Sequence, residues 1–175
     1  MLRRSCLAMM LALTVAGCSN NDSTTTPAPT NVQPKFTATL APTNEVPPVT
    51  NADATGSGTA TITLTTTKDA AGNITAATAD FVVNLSGFPA NTTLTGAHIH
   101  QAAAGTNGSI VVNTTLANGA VVLTSGSTSF ERLTITVTDP TIAQAIINNP
   151  ANFYFNVHTT ANTGGAVRGQ LVRVN

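Results

Sequence analysis

The sequence predicts an all-β domain, an antiparallel Greek-key β-sandwich or barrel carrying one short helix. Three observations point there. From residue 35 onward, apolar and polar residues alternate with period two in run after run, and the runs are rich in Val, Ile and Thr. Gly, Asn, Asp and Pro fall between the runs, where the chain must turn. A single stretch, 139–150, carries helical signals instead.

The elements follow in order. Residues 35–41 alternate Phe36, Ala38 and Leu40 against Thr37 and Thr39. In 58–67, Ala60, Ile62 and Leu64 share one face and threonines the other. The run 74–85 is longer and ends in the apolar Phe81-Val82-Val83-Asn84-Leu85. Strands are also expected at 94–100, 109–113, 120–123, 129–138, 153–159 and 167–174. Turn signals separate them: Asp69 to Asn73, Ser86-Gly87-Phe88-Pro89, Asn118-Gly119 and Thr163-Gly164-Gly165. In the exceptional stretch Asp139 serves as N-cap, Pro140 opens the first turn, an apolar stripe follows and Pro150 stops the helix. Many short strands and one helix fit a sandwich or Greek-key barrel.

Charged residues make up only 8% of the 175-residue chain, against roughly 25% in an average globular protein. Thr, Ala, Asn and Gly take the surface role, and the apolar content is too high for a disordered polyelectrolyte. Formal net charge is zero. Taking Arg3 and Arg4 from the seven basic residues leaves five against seven acidic ones in the remainder. A near-neutral domain without a basic patch has no footprint for nucleic acid. No G-x-G-x-x-G, P-loop or internal repeat occurs. A Ser-His-Asp triad cannot be singled out from so much Ser and Thr. The acids Glu45, Asp53, Asp69, Asp80, Glu131 and Asp139 are scattered near turns and strand ends, with no spacing that marks a catalytic carboxylate pair.

Residues 1–17 read as a lipoprotein signal peptide. Arg3 and Arg4 form a positive n-region and 7–16 an apolar h-region. That run is too short for a bilayer core, which takes about 20 residues. Val15-Ala16-Gly17-Cys18 resembles a lipobox, with small residues before a cysteine whose thiol can carry a diacylglycerol. Cleavage before Cys18 and acylation would anchor the protein at a membrane, since each buried methylene contributes roughly 0.8 kcal/mol. The expected location is the cell envelope. Ser19 is compatible with the outer membrane of a Gram-negative cell. Residues 18–34 comprise the anchor and a flexible Pro- and Thr-rich tether, and the domain spans 35–175. The two cysteines, Cys6 and Cys18, both lie in the first 18 residues, so the domain folds on its core alone, without a disulfide or thiolate site.

The three histidines of the chain fall in two strands. His98 and His100 share a face because they stand at i and i+2, with Thr95, Ala97 and Ile99 turned to the core. In 153–158, Phe153, Phe155 and Val157 suit the core, while Tyr154, Asn156 and His158 point the other way. If the two strands are neighbours, three imidazoles converge, a donor set for Cu or Zn. The alternative is a polar sheet face whose rings bond to carbonyls or carboxylates. A shared site requires the His98 and His158 rings within roughly 8 Å, because metal–nitrogen bonds are about 2 Å. Arg168 and Gln170, flanked by glycines after a turn, can grip an anion or clamp the turn to a neighbouring strand, and the clamp is the simpler role. Glu45-Val46-Pro47-Pro48-Val49 is extended, because a residue before Pro is pushed out of the helical region. Glu45 can cap a segment or pair with a basic group such as Arg168.

In order along the chain, Glu45-Val46-Pro47-Pro48-Val49; Ala97-His98-Ile99-His100 with Gly105, Gly108 and Ile110-Val111-Val112; Asn152 to Tyr154; Asn156-Val157-His158-Thr159; and Gly165 to Gln170 resemble the CHRD domain family. The resemblance covers about residues 35–174. That domain was first described in chordin and occurs in many bacterial secreted proteins. There are departures: Phe155 stands where Val is commoner, Gln101 where Gly often follows the second histidine, and Ala166 where an acidic residue is usual. The last removes a potential partner for a cation. The expected function is a non-enzymatic, surface-anchored module that binds a protein or small ligand outside the cytoplasm, with a copper- or zinc-binding protein using the three histidines as the alternative; what the resemblance itself implies is limited. It carries no settled activity for bacterial members, and chordin's role as a growth-factor antagonist has no counterpart in a bacterium. A weaker similarity joins the His-x-His strand, the Val157-His158 strand and the glycine turn before Arg168 to the copper-binding parts of Cu/Zn superoxide dismutases. It implies copper ligands at His98, His100 and His158, with Arg168 guiding an anion. The bridging histidine, the further zinc ligands and the disulfide of those enzymes have no counterparts here, which argues against dismutation.

Overall fold

The computed structural model describes residues 33–175. The signal peptide, Cys6, Cys18 and most of the tether lie outside the described residues. Ten strands and one α-helix follow in the order β1 (Lys35–Leu40), β2 (Ser57–Lys68), β3 (Ile74–Ser86), β4 (Thr92–Gln101), β5 (Ser109–Asn113), β6 (Val122–Leu123), β7 (Thr128–Thr136), α1 (Pro140–Asn148), β8 (Phe153–Thr159), β9 (Val167–Gln170) and β10 (Val172–Arg173). They form two antiparallel sheets. One runs β10-β1-β2-β3-β7; the other runs β5-β4-β8-β9, with β6 also paired to β4. The all-β sandwich with one helix is thus the architecture of the domain.

The period-two pattern explains the packing. Phe36, Ala38 and Leu40 of β1, Ala60, Ile62 and Leu64 of β2, and Ala79, Phe81 and Val83 of β3 are buried on one face of the first sheet. They meet Leu94, Ala97 and Ile99 of β4 and Phe153, Phe155 and Val157 of β8 in one core. Phe81 and Phe155 stack across the two sheets, with ring centroids 5.7 Å apart. In α1 the Asp139 carboxylate accepts from the Thr141 N–H at 2.9 Å, Pro140 fills the first turn, and Ala143 and Ile146 are buried.

Two expectations need correction. Thr95 does not face the core. The β4–β8 register shifts between Leu94 and Gly96, so Leu94 takes the core position and Thr95 is the bulged residue. The expected strand 167–174 is two strands. β9 pairs with β8, whereas β10 pairs with β1 in the other sheet. The chain changes sheets at the buried Leu171, where the adjacent apolar pair Leu171-Val172 breaks the alternation.

The two long edges of the sandwich differ. On one, Ala41 and Arg168 exchange backbone hydrogen bonds of 3.1 and 3.3 Å, joining the end of β1 to β9 and closing the sheets together. On the other, β5 and β7 leave a groove of about 560 Å³ lined by Ile110 to Asn113 and Thr134 to Thr136.

Candidate metal centre

Strand β8 lies between β4 and β9, and register places the polar residues of all three on one grid. Directly opposed residues of antiparallel strands share a face. His98, Asn156 and Arg168 form one row across β4, β8 and β9; His100, Tyr154 and Gln170 form the next; Gly96 stands opposite His158. All lie on the outer face of the second sheet. Yet that face is not open to solvent: every residue of β8 is buried, including Tyr154, Asn156 and His158. The loop after β1, the loop between β4 and β5, and the turn after β8 fold over it.

The three imidazoles converge beneath this cover. Their ring centroids are 4.9 Å apart for His98–His158, 5.8 Å for His98–His100 and 5.9 Å for His100–His158. One ligating nitrogen from each lies within 4.8 Å of the others. The 8 Å limit for a shared site is met comfortably. Among the described residues no other His, Cys, Asp or Glu joins the group.

Two rings are held by backbone carbonyls. His100 Nδ1 lies 2.9 Å from the Gly108 carbonyl oxygen, and His158 Nδ1 lies 3.0 Å from that of Thr163. A carbonyl only accepts, so Nδ1 carries the proton in both and Nε2 keeps its lone pair. Both Nε2 atoms are buried with no hydrogen-bond partner, as is Nδ1 of His98. Three buried, unpartnered acceptors in one cluster would be costly as a plain polar face. Imidazoles fixed through Nδ1–H to a carbonyl with Nε2 free have the geometry of metal ligands oriented by their surroundings. Burial lowers the basicity of all three. His98 is held down to about 4 by burial, with His158 and His100 adding to the shift. His100 is lowered by burial against the opposing Gly108 carbonyl, with Arg168 lowering it further. His158 is lowered by burial against the Thr163 carbonyl, with His100 adding. Neutral rings are the ligating form.

The surrounding residues set the ring positions. A Cβ on Gly96 would fall 2.9 Å from Cε1 of His98, so that ring occupies the space a side chain would need. Gly96 is the residue that lets His98 lean toward His158. Tyr154 stacks on His100 at 4.9 Å with planes 4° apart, and the Arg168 guanidinium lies 4.6 Å from the other ring's centroid in that pair, Tyr154. Gly108 secures this stack through both backbone groups: its carbonyl holds His100, and its N–H donates to Tyr154 Oη at 3.2 Å. The turn that presents Thr163 is held in place by Asp53. Its Oδ2 accepts from the Thr159 hydroxyl and from Asn162 Nδ2, both at 2.6 Å.

Arg168 is buried and ties the covering loops to β9. Its Nε donates to the Asn44 carbonyl at 2.5 Å, and its Nη1 donates to Asn107 Oδ1 at 2.8 Å and to the Thr106 carbonyl at 3.3 Å. Glu45 Oε2 is 3.9 Å from Arg168 Nε. Burial pushes the Glu45 carboxyl up to about 7, opposed by Arg168. Gln170 Nε2 donates to the carbonyls of Ala102 at 3.1 Å and Ala151 at 2.7 Å. Gly165 adopts φ +137°, and a Cβ there would meet Asn156 Nδ2 at 2.6 Å and Glu45 Oε2 at 2.7 Å. Glu45 and Asn156 therefore close over the turn only because position 165 has no side chain. Sequence reasoning passed over Gly96, Gly108, Tyr154, Asn156 and Asp53 as parts of the site. A glycine inside a strand was the available signal for Gly96, since it marks close approach of another group.

Neither the curated proteins nor the solved structures give a match to the chain. The family model of the CHRD domain matches residues 36–171, which takes in every strand except β10, all three histidines and the loops that cover them. The chain belongs to the CHRD domain family.

Proposed function

We propose that this protein is a metal-binding module of the cell envelope, holding one copper or zinc ion on His98, His100 and His158. The observation that carries the reading is the trio of buried imidazole nitrogens, mutually within 4.8 Å and without hydrogen-bond partners. A bound ion would satisfy all three at once and would supply Lewis acidity or redox capacity to the site. The residues of this chain orient the rings, exclude bulk water and keep the imidazoles neutral. Arg168, Gln170 and Glu45 act as the clamp that holds the cover down. The hydrogen bonds of Arg168 and Gln170 run to loop carbonyls and to Asn107, with the Glu45 carboxylate 3.9 Å from Arg168, and this favours clamping over recognition of an anion.

Lipid on Cys18 would tether the module to a membrane through residues 19–34, outside the cytoplasm. The lipobox and the absence of any cysteine after Cys18 support that placement. Mass spectrometry of the mature N-terminus tests it: a diacylated Cys18 is expected, and an unmodified Cys18 refutes it. For the metal, titration calorimetry on the full chain without an affinity tag should give saturable binding of one ion per chain. Absence of saturable copper and zinc binding would refute the reading. A second reading, a protein-binding module, draws on the groove at the open β5–β7 edge and on the exposed Ile110 and Leu133 beside it. Binding of an extracellular protein that is lost on Leu133→Lys and kept on His98→Ala would favour it.

A further inference from the structure

Granting that the three histidines hold a metal, the same geometry bears on which ion and in which charge state. The donors are three neutral imidazoles, and no carboxylate or thiolate joins them among the described residues. The two acids buried under the same cover are not in that group. Glu45 Oε2 faces Arg168 Nε at 3.9 Å, and Asp53 Oδ2 accepts from Thr159 and Asn162. No carboxylate therefore stands among the ligand nitrogens to offset a cation directly. Moreover, the Arg168 guanidinium lies over Tyr154, which itself stacks on His100, so a positive group stands behind one ligand ring.

Two physical consequences follow. The cost of taking an ion out of water scales with the square of its charge, so it is about four times greater for a dication than for a monocation of similar size. A buried neutral site resists the dication most. Coordination number acts in the same direction. Zn(II) in protein sites is almost always four-coordinate, its fourth position taken by a further side chain or by water. Here the protein supplies three donors, and His100 and His158 lie under cover, with 7% and 8% exposure. A d¹⁰ monocation is satisfied by three nitrogens in a plane. With metal–nitrogen bonds of about 2.0 Å, a trigonal arrangement sets the nitrogens about 3.5 Å apart. The three nitrogens lie within 4.8 Å of one another, and His98 is the ring with freedom to adjust toward the other two. Its ring is only partly buried and makes no hydrogen bond, whereas His100 and His158 are fixed by their carbonyls.

We propose that the site of His98, His100 and His158 is selective for Cu(I) over Zn(II) and Cu(II), because it offers three neutral donors with no anionic ligand among them. Selectivity of this kind suits a module that takes up or hands on reduced copper in the envelope.

The test is a competition on the full chain without a tag, under anaerobic conditions. Protein loaded with one equivalent of Zn(II) is given one equivalent of Cu(I), and released zinc is read with a chromophoric chelator. Bicinchoninate competition gives the Cu(I) affinity independently. The expected result is stoichiometric release of zinc, and retention of Cu(I) against about a tenfold excess of Zn(II). Cu(II) added alone should bind at least about tenfold more weakly than Cu(I). The variant Asn156→Asp places a carboxylate in the same row as His98 and should shift the Cu(I)/Zn(II) preference toward zinc by about tenfold or more. Retention of Zn(II) against Cu(I), tighter binding of Cu(II) or, in a folded Asn156→Asp protein, an unchanged preference would overturn the inference while leaving the metal site standing. Failure of all three ions to bind would remove the site itself, and the inference with it.

Discussion

The outer faces of the two sheets are built from the same alternating pattern and end in opposite states. On the first sheet the outward residues are mostly threonines, such as Thr59, Thr61 and Thr63 of β2, and they stay exposed or half-exposed. On the second, the outward residues of β8 are Tyr154, Asn156 and His158, and all three are buried. The strands themselves do not produce the difference. It comes from loops that close over one sheet and not the other, held by Arg168, Gln170, Asp53 and the glycines at 96 and 165. An exposed polar face requires only solubility. A covered polar face must satisfy every group it buries, and six atoms there have no protein partner: one nitrogen of each imidazole, Glu45 Oε1, Asn156 Oδ1 and Arg168 Nη2. The contrast thus separates a surface whose residues are interchangeable from one where each residue has a specific task.

The sharpest way to break this comparison is to remove a ligand. His98→Ala should abolish tight metal binding, while thermal unfolding of the metal-free protein changes little, because His98 is partly exposed and makes no hydrogen bond. Metal bound per chain after desalting is the readout; unchanged occupancy would move the site elsewhere. Next in size is Arg168→Ala, which strips the clamp and leaves the Asn44 and Thr106 carbonyls and Glu45 without their partner. A loss of about 3–5 kcal/mol in unfolding free energy by denaturant titration is expected. Gly165→Ala should cost about 1–3 kcal/mol, from backbone strain and the clash with Asn156 and Glu45.

A smaller effect comes from Glu45. Its carboxyl titrates near 4.5 in the unfolded chain and near 7 in the folded one. Between those values the unfolded state gives up its proton first, so this group's contribution to stability is full below 4.5 and is lost as the pH rises through 7. Glu45→Gln should flatten that part of the stability–pH curve relative to the parent protein. The histidines contribute with the opposite sign, since their lowered basicity costs stability as the pH falls below 6.5. The difference between parent and variant therefore isolates Glu45. At the bottom of the scale, Thr59→Ala on the open face should stay within about 0.5 kcal/mol.

Much of this was legible in the sequence. Alternation located the strands, and it put all three histidines on the non-core side of β4 and β8. It could not reveal that the non-core side is covered. Period two reports which residues share a face, not what lies above that face. The cover is made by segments far apart in sequence: Asn44 and Glu45 meet Arg168, and Asn51 and Asp53 meet Asn162. Such pairings depend on topology. The bulge at Thr95 was hidden because threonine suits either side of a strand. The break at Leu171 was hidden because Val172 and Val174 read as core residues, yet both are exposed where β10 pairs with β1 of the other sheet.

The central claim is that the covered face is a metal site formed by the three histidines, and X-ray absorption on the metal-loaded full chain addresses it directly. The account predicts a first shell dominated by about three nitrogens at about 2.0–2.1 Å with the outer-shell signature of imidazole rings. An oxygen-only shell, or one equivalent of metal retained after desalting by the His98→Ala, His100→Ala, His158→Ala triple variant, would contradict it.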